Sequence, residues 1–215
     1  LTGPEAIQFN PALLSRLRGY QVTLNTNLHL FNAEFDRAGS PAFDDSIDYG
    51  PVENESLLFP APSLYLSTDF GLEDFTLGLG AYGPSAVGHR KWPVDGPQRF
   101  LLVESEVLEI YYSLAAAYHI GGLRIGASFQ LAQLLAKFTT VTGAGLGVPT
   151  EKPEDDGLVS LDVTDIKPTG IIGVAYDASQ SWSFGLTYKL PVDFHAEGTV
   201  DAEFATGGTA DLAGA

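Results

Sequence analysis

Apolar and polar residues alternate along most of the chain, and the alternation is clearest in residues 107–138. The even-numbered positions of the first arm are apolar or aromatic: Leu108, Ile110, Tyr112, Leu114, Ala116, Tyr118 and Ile120. Gly121-Gly122 predicts a tight turn, and the return arm places Leu123, Ile125, Ala127, Phe129, Leu131 and Leu135 on one face. A strand in a soluble protein usually has about five or six residues. The longer alternation here suits strands tilted across a bilayer, where about nine to eleven residues make the span.

The same period of two predicts five further strands, in residues 20–35, 58–70, 75–82, 168–177 and 182–197. The last of these is the sharpest. Its outward face is predicted to carry Trp182, Phe184, Leu186, Tyr188, Leu190, Val192 and Phe194, and its inward face Ser183, Thr187, Lys189, Asp193, His195 and Glu197. Seven strands with one apolar and one polar face predict an all-β fold. We interpret it as a transmembrane antiparallel β-barrel, of which this chain supplies about seven strands.

The connections between the predicted strands alternate in length. Short turns begin near Gly71, Gly121 and Ala178, and long loops begin near Asp36, His89 and Thr139. Outer-membrane barrels have short periplasmic turns and longer external loops. Aromatic residues beside the short turns also predict an interfacial girdle, namely Phe70, Phe75, Tyr118, Tyr176 and Trp182. The alternative is a soluble β-sandwich, which requires a second sheet to cover the apolar faces.

Composition narrows the function classes. The formal net charge of the 215 residues is -16, which argues against nucleic acid as a partner. The acidic clusters at Asp44-Asp45, at Glu53 and Glu55, and in residues 151–156 are interpreted as solvated loop surface, with a divalent-cation or lipopolysaccharide contact as the alternative. The chain contains no Cys, which fits an oxidising compartment, and no Met, which predicts a processed or truncated sequence.

Four short motifs, in order, resemble the FadL family of outer-membrane transporters for long-chain fatty acids and other hydrophobic molecules, including its toluene-uptake relatives. They are Phe9-Asn10-Pro11-Ala12-Leu13, Phe59-Pro60-Ala61-Pro62, Gly80-Ala81-Tyr82-Gly83, and Ser113 to Tyr118 followed by Leu123 to Ala127. The resemblance implies a fourteen-stranded barrel with an N-terminal plug, the hatch, and suggests that this chain is its N-terminal half. The implied domains are a plug segment at 1–18, transmembrane strands with external loops at 19–204, and a Gly/Ala-rich loop or truncated end at 205–215.

The resemblance also implies passive, diffusion-driven uptake at the bacterial outer membrane. A hydrophobic ligand would enter the lumen and leave sideways through a kinked barrel wall into the bilayer. The implied plug hinge is Asn10, Pro11 and Ala12, for which a simple helix start is the alternative. The implied strand kink or lateral gate is Tyr82, Gly83 and Pro84, for which an ordinary bulge is the alternative.

Two further groups of candidate residues come from their predicted positions. His29, His119, Arg124, Lys189 and His195 are predicted on the lumen face, where a cation could meet a carboxylate head group. The alternative is that these side chains pair with Glu109, Asp193 or Glu197. The predicted loop at 139–167 carries Val141, Leu146 and Val148, which either form part of a capture groove or simply pack the loop.

We expect the partners to be a hydrophobic small molecule and outer-membrane lipid or detergent, with the protein a monomer. We expect no enzymatic activity, no cofactor and no metal, since the four histidines lack metal-ligand spacing. The competing functions are a general porin for small polar solutes and a structural or enzymatic outer-membrane barrel. Fatty acid, alkane and aromatic hydrocarbon all remain open as the ligand.

Overall fold

The alternating segments fold into one antiparallel sheet in the computed structural model, which describes residues 3–38, 50–83, 88–143, 152–179, 181–204 and 209–211. The strands are β1 Tyr20–Leu30, β2 Glu34–Phe35, β3 Val52–Glu53, β4 Leu58–Thr68, β5 Phe75–Tyr82, β6 Gly88–Lys91, β7 Glu104–Ile120, β8 Leu123–Thr142, β9 Gly157–Asp177, β10 Ser183–Lys189, β11 Glu197–Glu203 and β12 Thr209–Asp211. The helices are α1 Ala6–Phe9 and the 3₁₀ helices Pro11–Arg16 and Pro153–Asp155.

Each long strand pairs with its neighbour along the chain. The strand order is β1-β4-β5-β7-β8-β9-β11-β12, with β6 pairing to β7 and β10 pairing to β9, while β2 and β3 form a separate two-stranded sheet. The β7–β8 turn needs Gly121, whose φ of 59° lies in the left-handed region that glycine adopts without strain. The sheet is curled into an antiparallel half-barrel of seven strands, when β5 with β6 and β10 with β11 are each counted as one strand and the short β12 is left out. This confirms the predicted fold class.

The outer face of the sheet is apolar and open. Trp182 is 67% exposed and Leu186 is 76% exposed, and Phe184, Tyr188 and Leu190 are exposed as well. Among the described residues, no second sheet covers these side chains, as a β-sandwich would require. The apolar side chains of this outer face therefore point toward lipid.

A row of charged residues ends this apolar face. Glu106 pairs in register with Lys137 of β8, and Lys137 pairs with Asp162 of β9. Outward positions of β7 are apolar from Leu108 to Ile120. The residue steps from Leu108 to Ile120 cover about 28 Å of bilayer depth, at about 3.3 Å per step along a strand tilted by about 45°. This depth is close to the ~25 Å apolar band of outer-membrane barrels. The charged row thus marks the lipid–water boundary on the side of the long loops.

Several predicted boundaries are wrong. The segment predicted as a loop at 139–167 is strand at both ends, because β8 continues to Thr142 and β9 begins at Gly157. Residues 139–142 and 157–161 lie past the charged row, where water on both faces removes the apolar–polar alternation, whereas residues 163–167 of β9 lie below the row. The long loops predicted to begin near Asp36 and His89 contain β3 and most of β6, respectively.

The strand predicted at 182–197 is also divided. β10 ends at Lys189, residues 190–196 form no strand, and β11 continues the pairing with β9. The backbone N–H of Leu190 still donates to Gly170, but Pro191 has no N–H to continue the ladder. His195 therefore does not lie in a strand.

The buried core lies between the sheet and the N-terminal segment, which we define as residues 3–18. Ala6, Ile7, Leu14 and Leu17 pack against Tyr65, Tyr82, Ala115 and Ala117, with Leu13 and Tyr111 at the margin. This covered surface is the inner face of the sheet. None of the helices in the described residues is long and apolar enough to cross a membrane.

Candidate functional site

The N-terminal segment fits on the inner face because glycines leave room for it. A Cβ atom at Gly78 would lie 2.8 Å from Ile7 Cδ1, and one at Gly126 would lie 2.7 Å from Ala12 Cα. One at Gly173 of β9 would lie 3.1 Å from Pro11 Cδ. Gly126 and Gly173 are register partners, so the two strands form a shallow seat for the first turn of the 3₁₀ helix.

Asn10 joins the two helices of this segment and is buried. Its backbone is extended, and its side-chain oxygen accepts a hydrogen bond from Ala12 N at 3.0 Å as the N-cap of the 3₁₀ helix. Its Nδ2 donates to Val174 O at 3.2 Å and lies 3.5 Å from Leu186 O. Asn10 and Pro11 therefore do start a helix, and the Asn10 side chain also fastens that start to β9 and β10.

A polar cluster holds the end of the 3₁₀ helix. Asp177 Oδ2 accepts from Arg124 Nε at 2.9 Å, and its Oδ1 accepts from Ser183 Oγ at 2.6 Å and pairs with Arg16. Arg124 also donates to Ser15 Oγ at 3.0 Å. The cluster joins β8, β9, β10 and the N-terminal segment near the short turns.

In the part of the chain that the structure describes, the wall has a gap beyond the end of β5. β5 pairs with Leu64–Thr68 of β4 and with Tyr111–Tyr118 of β7, and it ends at Tyr82. Leu58–Ser63 of β4 still pair with β1, and residues 108–110 of β7 still pair with β8. On the edges that face each other across the gap, these residues have no strand partner among the described residues. The cavity there is about 420 Å³ in volume and is lined by Leu24, Phe59–Leu64, Ala81–Gly83, Glu106, Leu108–Ile110 and Tyr112. We call this opening the wall gap.

The wall gap lies immediately below the charged row that includes Glu106. Leu108 and Ile110 line it from the first apolar positions of β7. The gap is therefore level with the hydrocarbon next to the outer lipid–water boundary, and its lining is mainly apolar.

Three stacked tyrosines lie on the inner side of the wall gap. The ring centroids of Tyr65 and Tyr82 are 5.4 Å apart, and those of Tyr82 and Tyr111 are 5.9 Å apart. Tyr82 is 3% exposed, and its hydroxyl accepts from Gln130 Nε2 at 2.6 Å. Tyr65 donates to Gln8 Oε1 of α1 at 2.8 Å. The stack thus connects the N-terminal segment to the edge of the gap.

The loop end of the gap is closed by β6. Ser56 Oγ donates to His89 O at 2.8 Å and accepts from Lys91 N at 2.9 Å, and Glu55 N donates to Lys91 O at 2.7 Å. β6 is thereby tied to the segment before β4 on one side and to β7 on the other. Gly83 lies at the opposite end of the opening, and Pro84 lies outside the described residues.

The five basic residues predicted on the lumen face do not form one site. His119 and Arg124 are register partners near the short turns, and each meets an acid, Asp74 for His119 and Asp177 for Arg124. These acids differ from the predicted partners Glu109, Asp193 and Glu197, and Glu109 accepts from Tyr111 instead. His29 and Lys189 are exposed on β1 and β10, at opposite edges of the sheet. His195, outside any strand, donates its backbone N–H to Asp165.

The predicted capture residue Val141 lies in β8 and is buried, not in a loop; Leu146 and Val148 lie outside the described residues. Val141 lines a groove of about 280 Å³ with Val94, Pro153, Leu158 and Phe204, together with Asp95, Asp156, Gly157 and Glu203. Arg99 is fully buried beside it, and its Nε donates to Asp156 at 2.7 Å. This ion pair joins two external loops.

Several known proteins are similar to this chain and share its architecture. The family model for outer membrane protein transport proteins (OMPP1/FadL/TodX) matches residues 2–215. No curated protein sequence matches the chain significantly. The solved structure of a FadL homologue from Pseudomonas aeruginosa is similar, with a TM-score of 0.69 at 13% identity, and it covers 95% of this chain and 51% of that chain.

Two other solved structures are similar at comparable levels. The toluene transporter TbuX of Ralstonia pickettii has a TM-score of 0.67 at 19% identity, covering 98% of this chain and 58% of that chain. The toluene transporter TodX of P. putida has a TM-score of 0.63 at 16% identity, covering 99% and 57%. This chain thus spans between half and three fifths of the length of each structure. It belongs to the OMPP1/FadL/TodX family of outer membrane transport proteins, whose site of action is the bacterial outer membrane.

Proposed function

We propose that the protein containing this chain takes up hydrophobic molecules passively, and that they leave the lumen through the wall gap between β4 and β7. The observation that carries the proposal is the early end of β5 between two strands that continue past it. Among the described residues, β4 and β7 flank the opening and β6 lies at its loop end.

The position and lining of the gap favour a hydrophobic solute. Burial of apolar surface contributes about 25 cal/mol per Å², so such a solute gains nothing from a water-filled channel. A route from the lumen into hydrocarbon avoids rehydrating it. Two of the similar structures are of toluene transporters and one is of a FadL homologue, which supports the same class of solute.

In this proposal the N-terminal segment is the plug. It covers the inner face of β5, β7 and β8 and hydrogen-bonds to Tyr65 beside the gap. Asn10, Pro11 and Ala12 act as its hinge, and Tyr82 and Gly83 form the gated edge of the wall. Passage requires that the plug move and that the tyrosine stack shift.

The test is uptake by liposomes that contain the complete protein, using a labelled long-chain fatty acid and an aromatic hydrocarbon as separate probes. Ala61→Trp fills the lining of the gap and is expected to reduce uptake several-fold. Ala127→Trp adds the same side chain to the outward face of β8, away from the gap, and is the control. Equal uptake by the two variants would contradict the lateral route, and ion conductance without uptake of either probe would favour the porin.

A further inference from the structure

Both halves of the N-terminal segment pack apolar side chains against the wall, Ile7 from α1 and Leu14 from the 3₁₀ helix, but their polar contacts differ. α1 is held by packing of Ile7 and by one neutral hydrogen bond, from Tyr65 to Gln8. The end of the 3₁₀ helix is held by charged groups, since Arg16 pairs with Asp177 and Ser15 accepts from Arg124. Hydrogen bonds between ionised groups are about twice as strong as neutral ones.

Asp177 is the common partner in this attachment. Its carboxylate meets Arg16 of the segment, Arg124 of β8 and Ser183 of β10, while its own backbone belongs to β9. It therefore lies between two guanidinium groups that belong to different elements. Removing its charge would leave those two cations facing each other across the junction of segment and wall.

Asn10 separates the two halves. It is the one extended residue between α1 and the 3₁₀ helix, and its side chain is bonded on the 3₁₀ side, to Ala12 N and to Val174 O. Pro11, Ala12, Ser15 and Arg16 thus contact β8, β9 and β10. α1 lies beyond the last of these contacts.

We propose that Asp177 is a positioning residue that keeps the 3₁₀ helix fixed on the wall, so that only α1 swings, about Asn10, when a solute passes. This rests on the proposed function and adds to it which part of the plug moves. Motion of α1 breaks the bond between Gln8 and Tyr65 and releases one end of the stack of Tyr65, Tyr82 and Tyr111 beside the wall gap. The plug and the gap then open together.

The first experiment compares Asp177→Asn with Asp165→Asn in the complete protein. Asp165 is an acid on the same strand and the same face, and it is hydrogen-bonded to His195 N and paired with Lys167. Asp177→Asn is expected to raise small-ion conductance in planar bilayers several-fold and to expose residues 11–18 to protease, while Asp165→Asn does neither. A folded Asp177→Asn protein with unchanged conductance would overturn the proposal; folding is read independently from the heat-dependent electrophoretic mobility of the barrel.

The second experiment uses paired cysteines, since this chain has none; any Cys elsewhere in the protein is replaced by Ser. A disulfide between Ile7→Cys and Gly78→Cys locks α1 and is expected to abolish uptake until it is reduced. The double variant Arg16→Cys with Ser183→Cys is expected to leak ions as Asp177→Asn does. Joining the two introduced cysteines with a flexible bismaleimide is expected to restore low conductance. Uptake that continues with α1 locked, or a leak that persists after the second cross-link, would count against the hinge.

These readouts separate the inference from the proposed function. If the unaltered protein takes up neither hydrophobic probe, the proposed function fails. Even in that case, the ion conductance and the protease access of Asp177→Asn show whether Asp177 anchors the N-terminal segment to the wall.

Discussion

Gly126 and Ala12 meet backbone to backbone, because a Cβ atom at Gly126 would lie 2.7 Å from Ala12 Cα. We therefore expect Gly126→Val to push the 3₁₀ helix off its seat. The expected result is a several-fold rise in small-ion conductance and faster proteolysis within residues 3–18. Ala127→Val, on the outward face of the same strand, is the control and should change neither measurement. Equal behaviour of the two variants would mean that the segment does not depend on this contact.

Leu186 tests the lipid-facing assignment. It is exposed on the outer face of β10, so Leu186→Arg would place a charge in hydrocarbon. The expected loss is about 2–4 kcal/mol of unfolding free energy near the bilayer midplane. Thr187→Arg points to the inner face and should cost much less. The measurement is denaturant unfolding of the complete protein in lipid vesicles, and similar costs at the two positions would contradict the assignment.

The alternation of apolar and polar residues predicted most of the strands well where one face of the sheet meets lipid. Residues 108–120 and 123–135 have an outer face that must be apolar, and their side chains lie on the predicted faces. Past the charged row, no lipid constrains the outer face, and residues 139–142 and 157–161 were predicted as a loop. Residues 163–167 lie below the row and were missed as well, because inward Val163 and outward Thr164 interrupt the alternation. The prediction of one strand at 182–197 was wrong at Pro191 for a different reason. The hydrophobic pattern carries no information about the backbone N–H that proline lacks.

The candidate site was less predictable, because it depends on contacts between distant segments. Asn10 and Tyr82 were predicted from resemblance. Asn10 lies within the N-terminal segment and hydrogen-bonds to β9, Tyr82 lies at the wall gap, and their roles as hinge and gate stay predictions. Asp177 was missed, since one acid at the end of a strand gives no local signal. Inward glycines such as Gly126 and Gly173 were a usable signal: glycine weakens a strand unless another backbone approaches it closely.

The buried pair of Arg99 and Asp156 should control the order of the external loops. Arg99 is fully buried, so Arg99→Met leaves Asp156 without its charged partner, and breaking a buried pair costs about 3–5 kcal/mol. We expect much faster cleavage of residues 152–156 in limited proteolysis. Lys137→Met removes the exposed contact with Glu104, for which about 0–1 kcal/mol is expected. Arg99→Met with Asp156→Asn should recover part of the loss; no recovery would argue that Arg99 acts through packing alone.

Asp69 should make stability depend on pH at the acid end. Backbone N–H groups of Gly71 and Gly19, each 2.9 Å from its carboxylate oxygens, hold the pKa of Asp69 below its usual 3.8. A carboxyl group whose pKa is lowered by folding stabilises the folded state when the pH is above its pKa in the unfolded state. This stabilisation is lost as the pH falls through the pKa in the folded state. The difference in unfolding free energy between the unaltered protein and Asp69→Asn should therefore be constant near neutral pH and shrink below pH 3.8. A difference that does not change across this range would contradict the assigned hydrogen bonds.

The charged row of Glu106, Lys137 and Asp162 has a consequence for where a solute is delivered. β8 and β9 continue about five residues beyond it, which at about 3.3 Å per residue and a tilt of about 45° makes a protein collar roughly 12 Å high above the lipid. On the proposed route, a molecule enters above this collar and emerges beneath it. It thus bypasses the polar surface of the outer leaflet and arrives directly among the acyl chains.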